Sequence, residues 1–250
     1  LELVIACTKY CVDLCPEVER FSPMIVEDSW TAQAEQIRAA HPELVIAAVP
    51  FQQQAVAEIL KSGARFLGFA PRTLADIYTD IAILAGAVGA EAQGSKVISM
   101  MQRAIADVRT ATRTLPRRCV HCEEWGKPIL LSQPWVAELV EAAGGEFVGS
   151  PAARLDAEAV AATNPEVIVA AWCGVGDRAP LQKIVTDRGW ENLAAVQHQR
   201  VFAIRDDFLN TPAPTLIYGL QALAAAIHPE KFSSAQGLRS MSPAGSMNYV

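Results

Sequence analysis

Helix-spaced apolar positions alternate with short, continuous apolar runs along most of the chain, and one such pair recurs. The stretch Ile37 to Val49, IRAAHPELVIAAV, aligns without gaps on Val160 to Trp172, VAATNPEVIVAAW. In each copy a helical pattern (Thr31 to Ala40; Asp156 to Thr163) stops at a proline and an apolar run follows. Proline disfavours the α conformation of the residue before it, and runs such as LVIAA and VIVAA suit strands covered on both faces of a parallel sheet. A second amphipathic helix follows each copy (Gln52 to Lys61; Pro180 to Thr186), then a further strand, RFLGF (Arg65 to Phe69) and RVFAI (Arg200 to Ile204). Strands alternating with helices predict right-handed βαβ units, and two separated copies predict two α/β lobes with parallel-type central sheets.

Between the copies, Asp76 to Arg113 is nearly all helix-compatible, with one break near Gly89 to Gly94. Its second part, Ser95 to Thr114, predicts a helix roughly 30 Å long, a stiff spine between lobes. After Pro116 come the strand RCVHCEEW, a loop (Gly126 to Gln133) and the helix PWVAELVEAAGG, which starts on Pro134 and ends in glycines as helices prefer. The expected organisation is an N-terminal lobe over 1–90, a linking helix over 91–116 and a C-terminal lobe over 117–231. The remainder, 232–250, is rich in Ser, Gly, Met and Pro and is expected to be disordered.

Composition narrows the function. With 51% hydrophobic and 19% charged residues the chain is neither disordered nor fibrous. A net charge of −6 without a Lys/Arg stripe argues against nucleic acid as a partner; Arg113, Arg117 and Arg118 come nearest and read as a solvated helix end. No apolar run approaches the roughly 20 residues of a membrane span, and the opening LELVIAC is too short for a signal-peptide core.

Ligands of open parallel sheets sit beyond the carboxyl ends of the strands. Aromatic residues stand at those positions: Tyr10, Trp30, Phe51, Trp125, Trp172 and Phe208. Large, rigid and partly polar rings suit a bulky planar ligand in a cleft between lobes, whereas loop packing is the plainer role for any one of them. Cys173, beside Trp172, is a candidate for the same cleft, as is Asp207, which could meet a cationic group or cap a helix.

The cysteines at 7, 11, 15, 119, 122 and 173 fit disulfides or reduced thiols. Cys7, Cys11 and Cys15 would line one face of a helix, and Cys119 and Cys122 form a CxxC, but strand residues three apart point to opposite faces and no fourth ligand is close in sequence. Buried thiols, and no metal site, are the expectation. His41, His121, His198 and His228 accompany no nucleophile elbow, phosphate loop or metal-hydrolase motif, so no catalytic residue is assigned and the chain reads as a non-enzyme.

Three segments in combination, EEWGKPILLSQPWVAELVEAAGG, NPEVIVAAWCGVGDR and RGWENLAAVQHQRVFAIRDDFLNTPAPTLIYGLQALAAAIHP, resemble the substrate-binding proteins of ABC importers for cobalamin and iron-siderophores. LVIAC and DSWTAQAEQIRAAHPELVIAAVPF extend the resemblance over roughly residues 2 to 231. It implies two α/β lobes joined by a long helix, an N-lobe lacking its first strand and helix, and a loop over Cys7 to Cys15. It also implies a monomer with an ABC transporter permease as partner, a periplasmic or otherwise extracytoplasmic location, and ligand contacts from the six aromatic residues above. No resident cofactor is expected: the ligand itself is a cobalamin-like corrinoid, favoured by aromatic walls with few charges, or a ferric chelate, which Arg178 and Arg205 keep open. A cytoplasmic corrinoid or metal carrier of the same fold, or a cysteine-ligated metal protein, is the alternative.

Overall fold

The structure, a computed structural model, describes residues 2–27, 31–48 and 53–241. The chain forms two compact units, Leu1–Pro71 and Arg72–Val250.

In the first unit the order is β1 (Ala6–Thr8), α1 (Lys9–Leu14), a 3₁₀ turn (Pro16–Phe21), β2 (Met24–Val26), α2 (Ala34–Ala39), β3 (Leu44–Ala48), α3 (Gln53–Ser62) and β4 (Arg65–Phe69). β1 pairs in parallel with β2, and β3 with β4, the pairing expected of the first repeat. His41, at φ 50° immediately before Pro42, supplies the left-handed stop after α2. The buried Glu58 of α3 accepts from the Ala34 amide at 3.0 Å and from Lys61 Nζ at 2.6 Å, tying the start of α2 to α3. An apolar cavity of about 480 Å³ within this unit is lined by Ile5, Cys7, Cys11, Leu44, Ile46 and Ile59 among others. The Cys7 to Cys15 stretch is not the expected loop. Cys7 lies in β1 and Cys11 in α1, and the helix ends at Leu14 because Pro16 opens the next turn.

The second unit begins with α4 (Leu74–Ala87) and α5 (Glu91–Thr112). Thr73 and Asp76 cap α4 reciprocally, at 3.1 and 2.9 Å. Gly89, at φ 65°, turns the chain into α5, and Gly94 brings α5 so near α4 that an added Cβ would lie 2.5 Å from the Ala85 Cβ. α5, about 33 Å long at 1.5 Å per residue, packs on both α6 (Pro134–Ala142) and α10 (Leu216–Ile227). The unit boundary therefore falls at Pro71, ahead of the residue 90 suggested by the sequence.

β5 (Arg118–Gly126), β6 (Ile129–Leu131), β7 (Gly145–Phe147) and β8 (Arg154–Leu155) are followed by α7 (Ala157–Ala162) and β9 (Val167–Ala170). Then come α8 (Leu181–Asp187), α9 (Ala194–Gln197), β10 (Val201–Ile204) and, after α10, β11 (Leu238–Ser240). β10, β9, β5 and β7 form the expected parallel centre, while β6, β8 and β11 add antiparallel edges. Alternate strand residues feed two cores, as the period of two requires. Val167, Val169, Phe202 and Ile204 pack with α5, α6 and α10, whereas Ile168, Ala170, Val201 and Ala203 pack with α7 and α8 around Trp190. Fully burying each Val, Ile or Phe among these contributes about 1.5–3 kcal/mol. The segment from 232 is not wholly disordered: Phe232, Ala235 and Leu238 pack on the first of these cores and β11 pairs with β10.

Candidate functional site

β5 carries the site at its carboxyl end. Glu123 pairs with Leu131 and Trp125 with Leu130, so Glu124 is an extra residue in a β-bulge. Bulges re-aim side chains, and here one turns Trp125 outward, 49% exposed, its indole N–H on the Lys127 carbonyl at 3.0 Å.

Beneath it lies a polar network centred on a fully buried carboxylate. The Glu123 carboxylate, with no exposure, accepts from Trp172 Nε1 at 2.8 Å, from His121 Nε2 at 2.8 Å, and from Arg188 at 3.1 and 2.8 Å. A carboxylate only accepts, so His121 donates from Nε2, while among the described residues nothing meets its buried Nδ1. Burial pushes the Glu123 carboxyl up, but the hydrogen bonds and charges of His121 and Arg188 outweigh it and hold it below the usual range. Arg188 also donates to the Gly126 carbonyl at 3.0 Å and lies 4.6 Å over the Trp190 ring. Gly126 is required here, since an added Cβ would lie 2.2 Å from the Trp172 ring. One carboxylate thus fixes both the Trp172 indole and the turn that follows Trp125.

The loop after β9 is held by Asp206, whose carboxylate accepts the Gly174 and Gly176 amides at 2.8 Å each. Cys173 in that loop donates its amide to the Glu124 carbonyl at 3.1 Å, and Asn210 Nδ2 reaches the Cys173 sulfur at 3.2 Å and the Ala171 carbonyl at 2.7 Å. Burial, with only Gln133 donating at 2.7 Å, pushes the Glu124 carboxyl up to about 7. Although the residue as a whole is exposed, the thiol of Cys173 is itself desolvated; that, followed by the nearby Glu124 charge, pushes it up to about 11. A neutral thiol is a poor nucleophile.

Of the residues singled out from the sequence, Trp125, Trp172 and Cys173 stand at the carboxyl ends of the adjacent strands β5 and β9. Phe208 does not join them: it is 5% exposed and packed on Tyr218 and Gly237, because the 3₁₀ turn of Asp206–Phe208 directs its ring into the core. Asp207 neither caps a helix nor stands open, since Arg205 grips it at 2.9 and 2.8 Å. Tyr10, in the first unit, is 43% exposed with Lys9 Nζ 5.0 Å from its ring centre. Trp30 and Phe51 lie outside the described residues. Glu123, Glu124 and Arg188 were not foreseen as site residues, because the bulge and the contacts that gather them are set by pairing across the sheet; Asn210 was marked only by its place after the strand Val201–Ile204. Among the described residues, no group of three or more His, Cys, Asp or Glu is arranged to hold a metal ion.

A family model described as periplasmic binding protein matches residues 5–208. The chain belongs to this family. A relative, the uncharacterized ABC transporter substrate-binding lipoprotein YvrC of Bacillus subtilis (strain 168), is 22% identical over 213 residues, 79% of this chain and 66% of that one. The match thus spans just under two thirds of the relative's length. Among solved structures, a periplasmic heme binding protein from Pseudomonas aeruginosa superposes with a TM-score of 0.78 at 17% identity, covering 96% of this chain and 90% of that one. The periplasmic vitamin B12 binding protein BtuF of Vibrio cholerae superposes at 0.69 with 21% identity, covering 89% and 87%. These likenesses confirm the two-lobed α/β fold of periplasmic binding proteins for this chain.

Proposed function

We propose that this periplasmic binding protein captures a cobalamin-like corrinoid outside the cytoplasm and delivers it to the permease of an ABC importer, performing no chemistry on it. The observation that carries the reading is the placing of two indoles, exposed Trp125 and half-buried Trp172, at the carboxyl ends of the adjacent strands β5 and β9, with arginines already spent: Arg188 is bound to Glu123 and Arg205 to Asp207. Aromatic walls with few free cations suit a flat, amide-fringed ring better than an anionic ferric catecholate, which calls for arginine clusters. The ABC-transporter relative and the B12-binding structural neighbour support the same assignment. A ferric chelate is the second reading, favoured by Lys127 and Arg178, both exposed and without an ion pair among the described residues.

The test is titration of the purified chain with cyanocobalamin, a ferric hydroxamate and heme, followed by tryptophan quenching and calorimetry. Saturable binding of cyanocobalamin is expected; saturation by heme or the ferric chelate alone would reassign the ligand. Trp125→Ala is expected to weaken binding by about 1–4 kcal/mol, as truncation of an aromatic anchor does. Trp172→Ala is expected to fall in the same range, but also removes a donor from Glu123, so its melting curve is needed alongside.

A further inference from the structure

On the second unit, the carboxyl ends of β5, β9 and β10 bring together three groups with unspent accepting capacity. Glu124 is 8% exposed, and Gln133 donates only to its Oε1; among the described residues no donor meets Oε2. Asn210 spends both its amide hydrogens, on the Ala171 carbonyl and the Cys173 sulfur, while its buried Oδ1 has no partner. The Cys173 thiol lies between them in sequence of contact, hydrogen-bonded to Asn210 and within the field of the Glu124 carboxyl. Leaving a buried acceptor unmet costs about 1–3 kcal/mol, so Asn210 Oδ1, with the Glu124 carboxylate at the end of a nearby strand of the same sheet, marks a position for a donor from elsewhere. The nearby cations do not answer them: Arg188 and Arg205 are paired, and among the described residues neither Lys127 nor Arg178 donates to the Glu124 carboxylate or to Asn210 Oδ1.

We propose that Glu124, Cys173 and Asn210 form a donor-reading subsite that accepts amide N–H or ammonium groups of the bound ligand and turns away carboxylates. This rests on the reading of this face as ligand-binding and deepens it. A ligand fringed with primary amides satisfies Oε2 and Oδ1, whereas one fringed with carboxylates adds negative charge and still leaves both unmet. Above about pH 7 the Glu124 carboxyl is itself charged, which sharpens the discrimination.

The test reads the subsite without any natural ligand. Cys173 is alkylated at pH 8.5 with iodoacetamide or with iodoacetate, and its modified peptide is quantified by mass spectrometry beside that of exposed Cys11 as internal reference. The iodoacetamide-to-iodoacetate rate ratio at Cys173 is expected to exceed that at Cys11 by about tenfold, the order given by one nearby charge in a half-buried setting. E124Q should bring it within about threefold of the reference. Equal ratios at the two cysteines in the unaltered protein overturn the proposal, a result that needs no variant to fold.

A second arm compares cyanocobalamin with its monocarboxylic derivatives, in which one side-chain amide is hydrolysed. A preference of about tenfold for the amide form, reduced in E124Q, supports the subsite. Corrinoid binding without that preference overturns it and leaves the corrinoid reading standing. Absence of corrinoid binding with the alkylation signature intact supports the subsite and removes the corrinoid.

Discussion

Arg188→Met keeps most of the aliphatic stem but removes the guanidinium from a carboxylate that has no exposure. Breaking one partner of a buried ion pair costs about 3–5 kcal/mol, because the remaining charge stays buried without compensation. Glu123 would retain the Trp172 and His121 donors, so the lower end, about 3 kcal/mol, is expected. The stranded carboxyl can escape by taking up a proton. Its folded pKa then rises above the unfolded value, near 4.3, so the folded state binds more protons and the loss shrinks as pH falls. Urea unfolding of the second unit, followed by near-ultraviolet circular dichroism at pH 5 and pH 8, should show the larger loss at pH 8. Glu123→Gln combined with Arg188→Met removes both charges and should recover about 2 kcal/mol relative to Arg188→Met alone. A loss under about 1 kcal/mol, or one equal at the two pH values, would show that Glu123 is not the charged hub described here.

Three further outcomes follow from the same region. Gly126→Ala should destabilise by about 1–3 kcal/mol and shift indole emission, since its Cβ would lie 2.2 Å from the Trp172 ring; unchanged emission would mean that the contact is not made. Glu124, with a folded pKa of about 7 against an ordinary 4.5, contributes stability that is complete at acid pH and lost as pH rises through 7. Between pH 5 and 8 the unaltered protein should therefore lose up to roughly 3 kcal/mol more than Glu124→Gln, and parallel pH profiles would refute the raised value. Asp206→Ala frees two amides, so exchange at Gly174 and Gly176 should accelerate at a cost of about 1–3 kcal/mol, with unaltered exchange the contrary result.

The architecture was legible because its signals are local and repeated. The Pro42 and Pro165 stops are preceded by residues in the left-handed region, His41 and Asn164, and each is followed by a strand that pairs in parallel with the next. The place of Trp125 near the end of one strand, and of Trp172 and Cys173 after another, was legible. Phe208 was not, because a strand-end position does not say whether the following turn points a ring outward or into the core. Nor was Glu123 foreseeable: a charged residue inside a strand reads as a misfit until Arg188, 65 residues later, is found opposite it. The helix over Lys9–Leu14 was hidden by the brevity of the stretch before Pro16, and the ordering of 233–241 by a strand of three residues that forms only against β10.

The first unit divides its four strands between two ladders that are separate among the described residues, with an apolar cavity running along β1 and β3. Amides on the sides of these strands away from β2 and β4 have no ladder to protect them, and fewer apolar contacts resist opening there than in the doubly covered sheet of the second unit. Native-state hydrogen exchange should therefore separate the protein into two foldons, the first opening at a lower free energy than the second. A unit that opens easily is also the one whose order any ligand that binds only its folded form would increase most.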